Sequence, residues 1–178
     1  FGFELTEVPV DRYGQVSAAA VADALRDDTA VVAVIYGNNE LGTINPIAAI
    51  SAAARARGVP VHVDAVQAAG QLPLDVAALG VTTLALGAHK AYGPKGVGAL
   101  YVAPGTTLLP VQTGGSHERG LRAGTPNVPL IVGLAEALRL AAAERDSHNA
   151  RAITLRDRLI ARVLEWVPDG AAVLDIGA

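Results

Sequence analysis

The chain contains no cysteine and no methionine, and it has only two lysines, Lys90 and Lys95, against twelve arginines. Without cysteine there are no disulfides, no thiolate metal sites and no cysteine nucleophile within these residues. No apolar run approaches the ~20 residues that a membrane helix needs, and no signal-peptide pattern is visible. Charged residues are scarce, at 17%, and the net charge of -3 leaves no basic footprint for nucleic acid. With no methionine and a first triplet Phe1-Gly2-Phe3, the chain reads as an internal fragment or a processed product.

What is present is a core. Hydrophobic residues make up 51% of the 178 positions, and 19 glycines come on top of them. That excludes intrinsic disorder. The length suits one ordinary domain or a large piece of a bigger one, able to bury roughly 70% of its unfolded surface.

Strand and helix patterns alternate. Ser17 caps a helix through Leu25. Ala30 to Tyr36 reads AVVAVIY, an apolar run suited to a strand buried on both faces. Asn45-Pro46 resembles an N-cap followed by proline at the first helical position, with the helix running to about Arg57 and ending at Gly58. Further strands are expected at Val59–Val63, Val81–Leu86 and Val97–Val102, the last after a turn over Gly93–Gly96. Between the first two of these, Asp75–Leu79 forms a short helix closed by Gly80. A long loop spans about Pro104 to Asn127, and two helices follow, Pro129–Arg145 and Asn149–Trp166. The second places Ile153, Leu159, Ile160, Val163 and Leu164 at helical spacing. Residues Ala171–Ile176 read as a strand start.

Such alternation predicts an α/β fold with a mainly parallel sheet covered by helices on both faces. Ligands then bind beyond the carboxyl ends of the strands. The positions so placed are Asn38-Asn39, Asp64 and His89-Lys90. A carboxylate and a lysine at neighbouring strand ends suit pyridoxal phosphate (PLP). The lysine forms the Schiff base, and the aspartate keeps the pyridine nitrogen protonated so that the ring accepts electrons. Schiff-base formation needs some neutral amine, whereas free lysine titrates near ~10.4, so the site must help to deprotonate it.

Four segments, GNNELG (37–42), HVDAVQAAGQLPLD (62–75), AHKAYGPKGVGALYV (88–102) and GGSHERGLRAGTPN (114–127), occur in this order. In them the chain resembles the cysteine desulfurases, within the class V aminotransferase group of PLP enzymes. The resemblance covers nearly the whole chain. It implies the large-domain fold of PLP-dependent transferases of the aspartate aminotransferase type, truncated at both ends. Residues 1–166 would be part of the PLP-binding domain and residues 167–178 the start of a C-terminal small domain.

The resemblance also implies roles. Lys90 is the Schiff-base lysine, Asp64 pairs with the ring nitrogen, and Gln67 hydrogen-bonds the phenolic oxygen. Asn39 lies near that oxygen and the substrate carboxylate, and His89 sits beside the phosphate. Thr125 reaches the phosphate of a partner subunit, which implies a homodimer with composite sites. The substrate is L-cysteine. A sulfur-acceptor protein, a cytoplasmic location and a part in iron–sulfur cluster assembly go with the family. Selenocysteine lyase and other class V enzymes are sibling readings, and a non-catalytic PLP-binding or dimerisation module is the reading from another class.

Two positions depart from the family pattern. Gly87 stands where a phosphate-binding serine is usual, three residues before the lysine, and Ser116 replaces a glycine. The resemblance places the catalytic cysteine and the substrate-binding arginine beyond residue 178. It places the histidine that stacks on the cofactor, with a phosphate cup, before residue 1.

Bland readings stand beside these. Asn38 and Asn39 suit a turn. His62 suits a core or interface. Arg119 and Arg122 suit either a carboxylate ligand or a salt bridge fixing the loop, and His117 suits a contact to substrate or cofactor near the dimer seam or no such contact. Lys95, in GPKG, is structural or steers phosphate. His148 falls between two helices and Trp166 packs at a helix end. The nucleotide-loop pattern GxxxxGK[ST] is absent.

Overall fold

The computed structural model describes residues 2–167. Eight regular elements follow in chain order: α1 (Ala18–Ala24), β1 (Val32–Ile35), α2 (Ile47–Ala56), β2 (Val61–Asp64), α3 (Val76–Leu79), β3 (Thr83–Gly87), β4 (Gly98–Val102) and α4 (Val128–Trp166). Two 3-10 turns lie between them, Ala88–Ala91 and Glu118–Gly120.

Local chemistry sets the short helices as expected. Ser17 accepts a hydrogen bond from the Ala20 N–H at the start of α1. Asp75 accepts from the Ala77 and Ala78 N–H groups, and Gly80 ends α3 in the left-handed conformation.

The Asn45-Pro46 expectation is corrected. Pro46 is the N-cap residue of α2 and makes no side-chain cap. The buried Asn45 carboxamide instead accepts from the Val16 N–H at 3.0 Å and donates to the Ile35 carbonyl at 2.9 Å. It ties three segments together rather than capping one.

The sheet has the order β1-β2-β3-β4. The first three strands are parallel, with Val32 opposite Val61 and Val63 opposite Leu84. β4 runs antiparallel to β3, with Gly87 opposite Gly98. Only ten residues separate the two strands, too few for a right-handed parallel crossover of a dozen or more.

Strand alternation sorts side chains by face. Val32, Val34, Val61, Val63 and Leu84 share one face, packed beneath Leu25, which follows α1, and Ile47, Ile50, Ala54 and Leu79 of α2 and α3. Each such side chain contributes about 1.5–3 kcal/mol when fully buried. The other face carries Ala33, His62, Asp64, Thr83, Ala85 and Leu100. Ala33 is exposed and Leu100 is 53% exposed. Thr83 on this face is buried, and Ile35, His62 and Ala85 are half-buried, so the expected cover is full on one face and partial on the other among the described residues.

The two expected C-terminal helices are one. α4 is continuous over 39 residues. The polar run at 144–149 holds no glycine or proline, and its side chains are satisfied without a break. The Ser147 hydroxyl donates to the Glu144 carbonyl, and the Asn149 amide donates across to the Gln71 carbonyl. His148 thus lies within the helix, exposed, and Trp166 is 76% exposed rather than packed. The first half of α4 lies close against the turns after β2 and β3. A Cβ at Gly133 would fall 2.9 Å from Pro94, and one at Gly70 would fall 2.8 Å from the Ala141 methyl. The expected strand at Ala171–Ile176, and the domain start assigned to 167–178 beyond Val167, lie outside the described residues.

Candidate cofactor site

Because β1, β2 and β3 are parallel and paired in register, their carboxyl ends lie side by side. The segments that leave them share one edge of the sheet.

After β1, the Tyr36 N–H donates to the Asp64 carbonyl at 2.8 Å, and Gly37 bridges Ile44. Asn38 takes the turn role. Its Oδ1 accepts from the Glu40 and Leu41 N–H groups at 2.9 and 2.8 Å. Asn39 sits exposed at the tip of that turn. Burial raises the Tyr36 hydroxyl above its ordinary pKa.

After β2, Asp64 is the last strand residue and is exposed. One carboxylate oxygen accepts from the Val66 N–H at 2.9 Å. The Ala65 N–H donates to the Ala85 carbonyl at 3.0 Å, so the pairing continues past the strand end. It holds the turn bearing Gln67, which is half-buried, beside β3.

After β3, the turn Ala88–Ala91 buries its two alanines and exposes His89 and Lys90 between them. Tyr92 then adopts the left-handed conformation, at φ 60°, and is 92% exposed. The chain returns through the Lys95-Gly96 turn. The Ala88 N–H donates to the Val97 carbonyl at 3.2 Å, which closes the connection. At Gly87, an added Cβ would meet Val66 Cγ1 at 3.2 Å and the His89 ring at 3.7 Å. The two strand-end segments therefore approach each other closely here.

Asn39, Asp64, Gln67, His89 and Lys90 thus lie on adjoining segments at one edge. Thr125 is carried separately, on the exposed stretch before α4, as are His117, Arg119 and Arg122. Glu118 and Arg119 in that stretch have φ of 48° and 59°. His62 bonds Thr83 Oγ1 through Nδ1 at 2.8 Å, midway along the open sheet face. Sequence reasoning gave no role to Tyr36 or Tyr92. The first was read only as the end of an apolar strand, and nothing in the pattern around the second signals a left-handed turn.

The donor set suits PLP. A primary amine for its aldehyde, a carboxylate for its ring nitrogen, and amide and imidazole groups for its oxygens occur on adjoining segments. Among the described residues neither Lys90 nor Lys95 has a carboxylate within ion-pair distance, and no group of three or more His, Asp or Glu side chains could hold a metal. No helix there is long and apolar enough to cross a membrane. A cleft of about 280 Å³ lies at the opposite edge, lined by Ser51, Arg55, Val61 and Thr82 among others. It takes in none of the expected site residues.

Residues 1–169 match the aminotransferase class V family. A cysteine desulfurase IscS of Methanosarcina thermophila is 48% identical over 164 residues, 92% of this chain and 41% of its own length. A solved NifS-like protein superposes with a TM-score of 0.88 at 38% identity, covering 92% of this chain and 46% of its own. A structure described as SspA in complex with cysteine gives a TM-score of 0.75 at 43% identity, over 78% of this chain and 40% of its own. The chain spans about two fifths of the length of the curated relatives it matches.

Proposed function

The chain belongs to the class V aminotransferase family, and from that premise we propose that it is the cofactor-binding part of a PLP-dependent cysteine desulfurase. The observation that carries this reading is the adjacency of Asp64 and the Lys90 turn on paired parallel strand ends. The similarity to proteins described as cysteine desulfurases supports the reaction, and the cysteine complex of a similar structure supports L-cysteine as substrate.

When bound, PLP supplies an electron sink for the substrate's α-carbon. The residues of this chain hold and tune it. Lys90 Nζ anchors the aldehyde and moves a proton at the substrate. Asp64 keeps the ring nitrogen protonated. Its Val66 N–H bond fixes the carboxylate and leaves the second oxygen for that task. Gln67 would hydrogen-bond the phenolic oxygen, Asn39 would lie near it and the substrate carboxylate, and His89 would sit beside the phosphate. Gly87 brings no hydroxyl, so a backbone N–H there would have to stand in for the usual serine in holding the phosphate. Thr125 serves the site of a second copy, which makes the working unit a homodimer.

In the proposed reaction the C–S bond of L-cysteine breaks, the sulfur passes to an enzyme thiol as a persulfide, and L-alanine leaves. These 178 residues hold no cysteine, so the thiol comes from outside them, and the residues alone bind rather than catalyse. The sulfur then goes to an acceptor protein, with iron–sulfur assembly as its use and the cytoplasm as its place.

Borohydride trapping tests the reading. The full-length protein is mixed with PLP, reduced and digested, and the pyridoxyl adduct is mapped by mass spectrometry. A dominant adduct on Lys90, lost in Lys90→Ala, is expected. Equal labelling of Lys90, Lys95 and other amines would overturn it.

A further inference from the structure

We propose that Lys95 is an electrostatic guide for the phosphorylated cofactor, drawing its phosphate to the strand-end edge before the aldehyde meets Lys90. This rests on the reading of Lys90 as the cofactor lysine.

Topology supplies the placement. A parallel β4 would have begun at the far edge of the sheet. The antiparallel return puts the Lys95-Gly96 turn at the same edge as Lys90, inside a connection closed by the Ala88 N–H to Val97 carbonyl bond. Four residues lie between the two lysines, so their Cα atoms, five steps along the chain, are at most ~18 Å apart. The chain's only two lysines thus stand at one edge.

Charge supplies the purpose. The chain carries -3 overall, and a phosphate monoester carries about -1.5 to -2 at neutral pH. Within these residues the average field therefore opposes the encounter. Many arginines offer little against it: Arg26, Arg57, Arg139, Arg145 and Arg162 are all paired with carboxylates. Lys95 is exposed, without a carboxylate partner among the described residues. It faces an edge where Asp64 and Glu40 also stand, so the local positive charge must come from the lysines and neighbouring cations. Lys90 cannot fill both roles, because its amine must be neutral to react. A fixed cation nearby separates attraction from chemistry and raises an association rate without altering the bound state.

Stopped-flow uptake of PLP by the full-length apoprotein, followed by absorbance at low and high salt, tests this. Lys95→Gln should slow association about fourfold at low ionic strength, as one charge acting at ~10 Å on a dianion predicts. The deficit should vanish near 1 M salt, where screening falls to ~3 Å. Lys95→Arg should keep the wild-type rate, and the release rate and the bound cofactor's visible spectrum should be the same in all three proteins. A wild-type rate in Lys95→Gln at low salt, a deficit that salt does not remove, or an equal loss in Lys95→Arg would overturn the guide. Borohydride mapping separates the two readings. If the wild type forms no Lys90 adduct, the cofactor assignment falls and takes this proposal with it. If all three proteins form that adduct at equal rates, only the role of Lys95 falls.

Discussion

The two faces of the sheet are built from the same four strands and differ in kind. One face shows Val32, Val34, Val61, Val63 and Leu84 to the first three helices, and Val63 and Leu84 are almost wholly buried there. The other shows Ala33, Ala85 and Leu100 with His62, Asp64 and Thr83 between them. The first face is fixed by volume, since each branched side chain fills space that nothing else fills. The second mixes Ile35, Leu100 and Val102 with polar residues, of which His62 and the buried Thr83 are bonded to each other. A strand can thus hold the fold with alternate residues and leave the rest free for a site at its end.

Truncation is the strongest test of that contrast. Leu84→Ala should cost about 2–5 kcal/mol in urea unfolding of this 178-residue chain, whereas Leu100→Ala, on the more exposed face, should change stability by less than ~0.5 kcal/mol. Equal losses would mean that Leu100 is as deeply covered as Leu84 and would erase the distinction. The next effect in size belongs to Asn45, which joins the segment before α1 to the end of β1. Asn45→Ala should cost about 1–3 kcal/mol, because the Val16 N–H and the Ile35 carbonyl lose a buried partner. The smallest effect appears only in alkali. Burial raises the Tyr36 hydroxyl in the folded state, so the unfolded chain ionises first, near ~10. The neutral tyrosine's contribution is complete below that pH and is lost as pH rises toward the folded value. Tyr36→Phe should flatten the stability decline that sets in above about pH 10, and an unchanged slope would show that Tyr36 ionises freely.

The elements set by local chemistry were legible in the sequence. Ser17, Asp75 and Gly80 mark helix ends by side-chain bonds and left-handed backbone, which need no tertiary context. The strand-end rule also placed Asn39, Asp64 and Lys90 at one edge, because parallel pairing alone decides it. What stayed hidden depends on neighbours. Asn45 reads as a cap until its distant partners are known. The run AVVAVIY reads as buried on both faces, yet Ala33 is too small to require cover. The polar stretch at 144–149 reads as a break, but nothing in it stops a helix. The direction of β4 depends on the short span to β3, which periodicity does not report.

α4 has a mechanical consequence. Thirty-nine residues at ~1.5 Å each make a rod of about 58 Å, beside strands of four or five residues. Its inner half is seated against Pro94 and the turn at Gly70, close to the Lys90 turn, while Ile153, Leu159 and Trp166 stand free on its outer half. The rod is a cantilever. Over the ~26 Å from Asn149, which is held by the Gln71 carbonyl, to Trp166, a tilt of about 5° at the seat sweeps the tip by roughly 2 Å. The relation also runs inward: a load on the tip returns to the seat as torque, next to the backbone that carries Lys90.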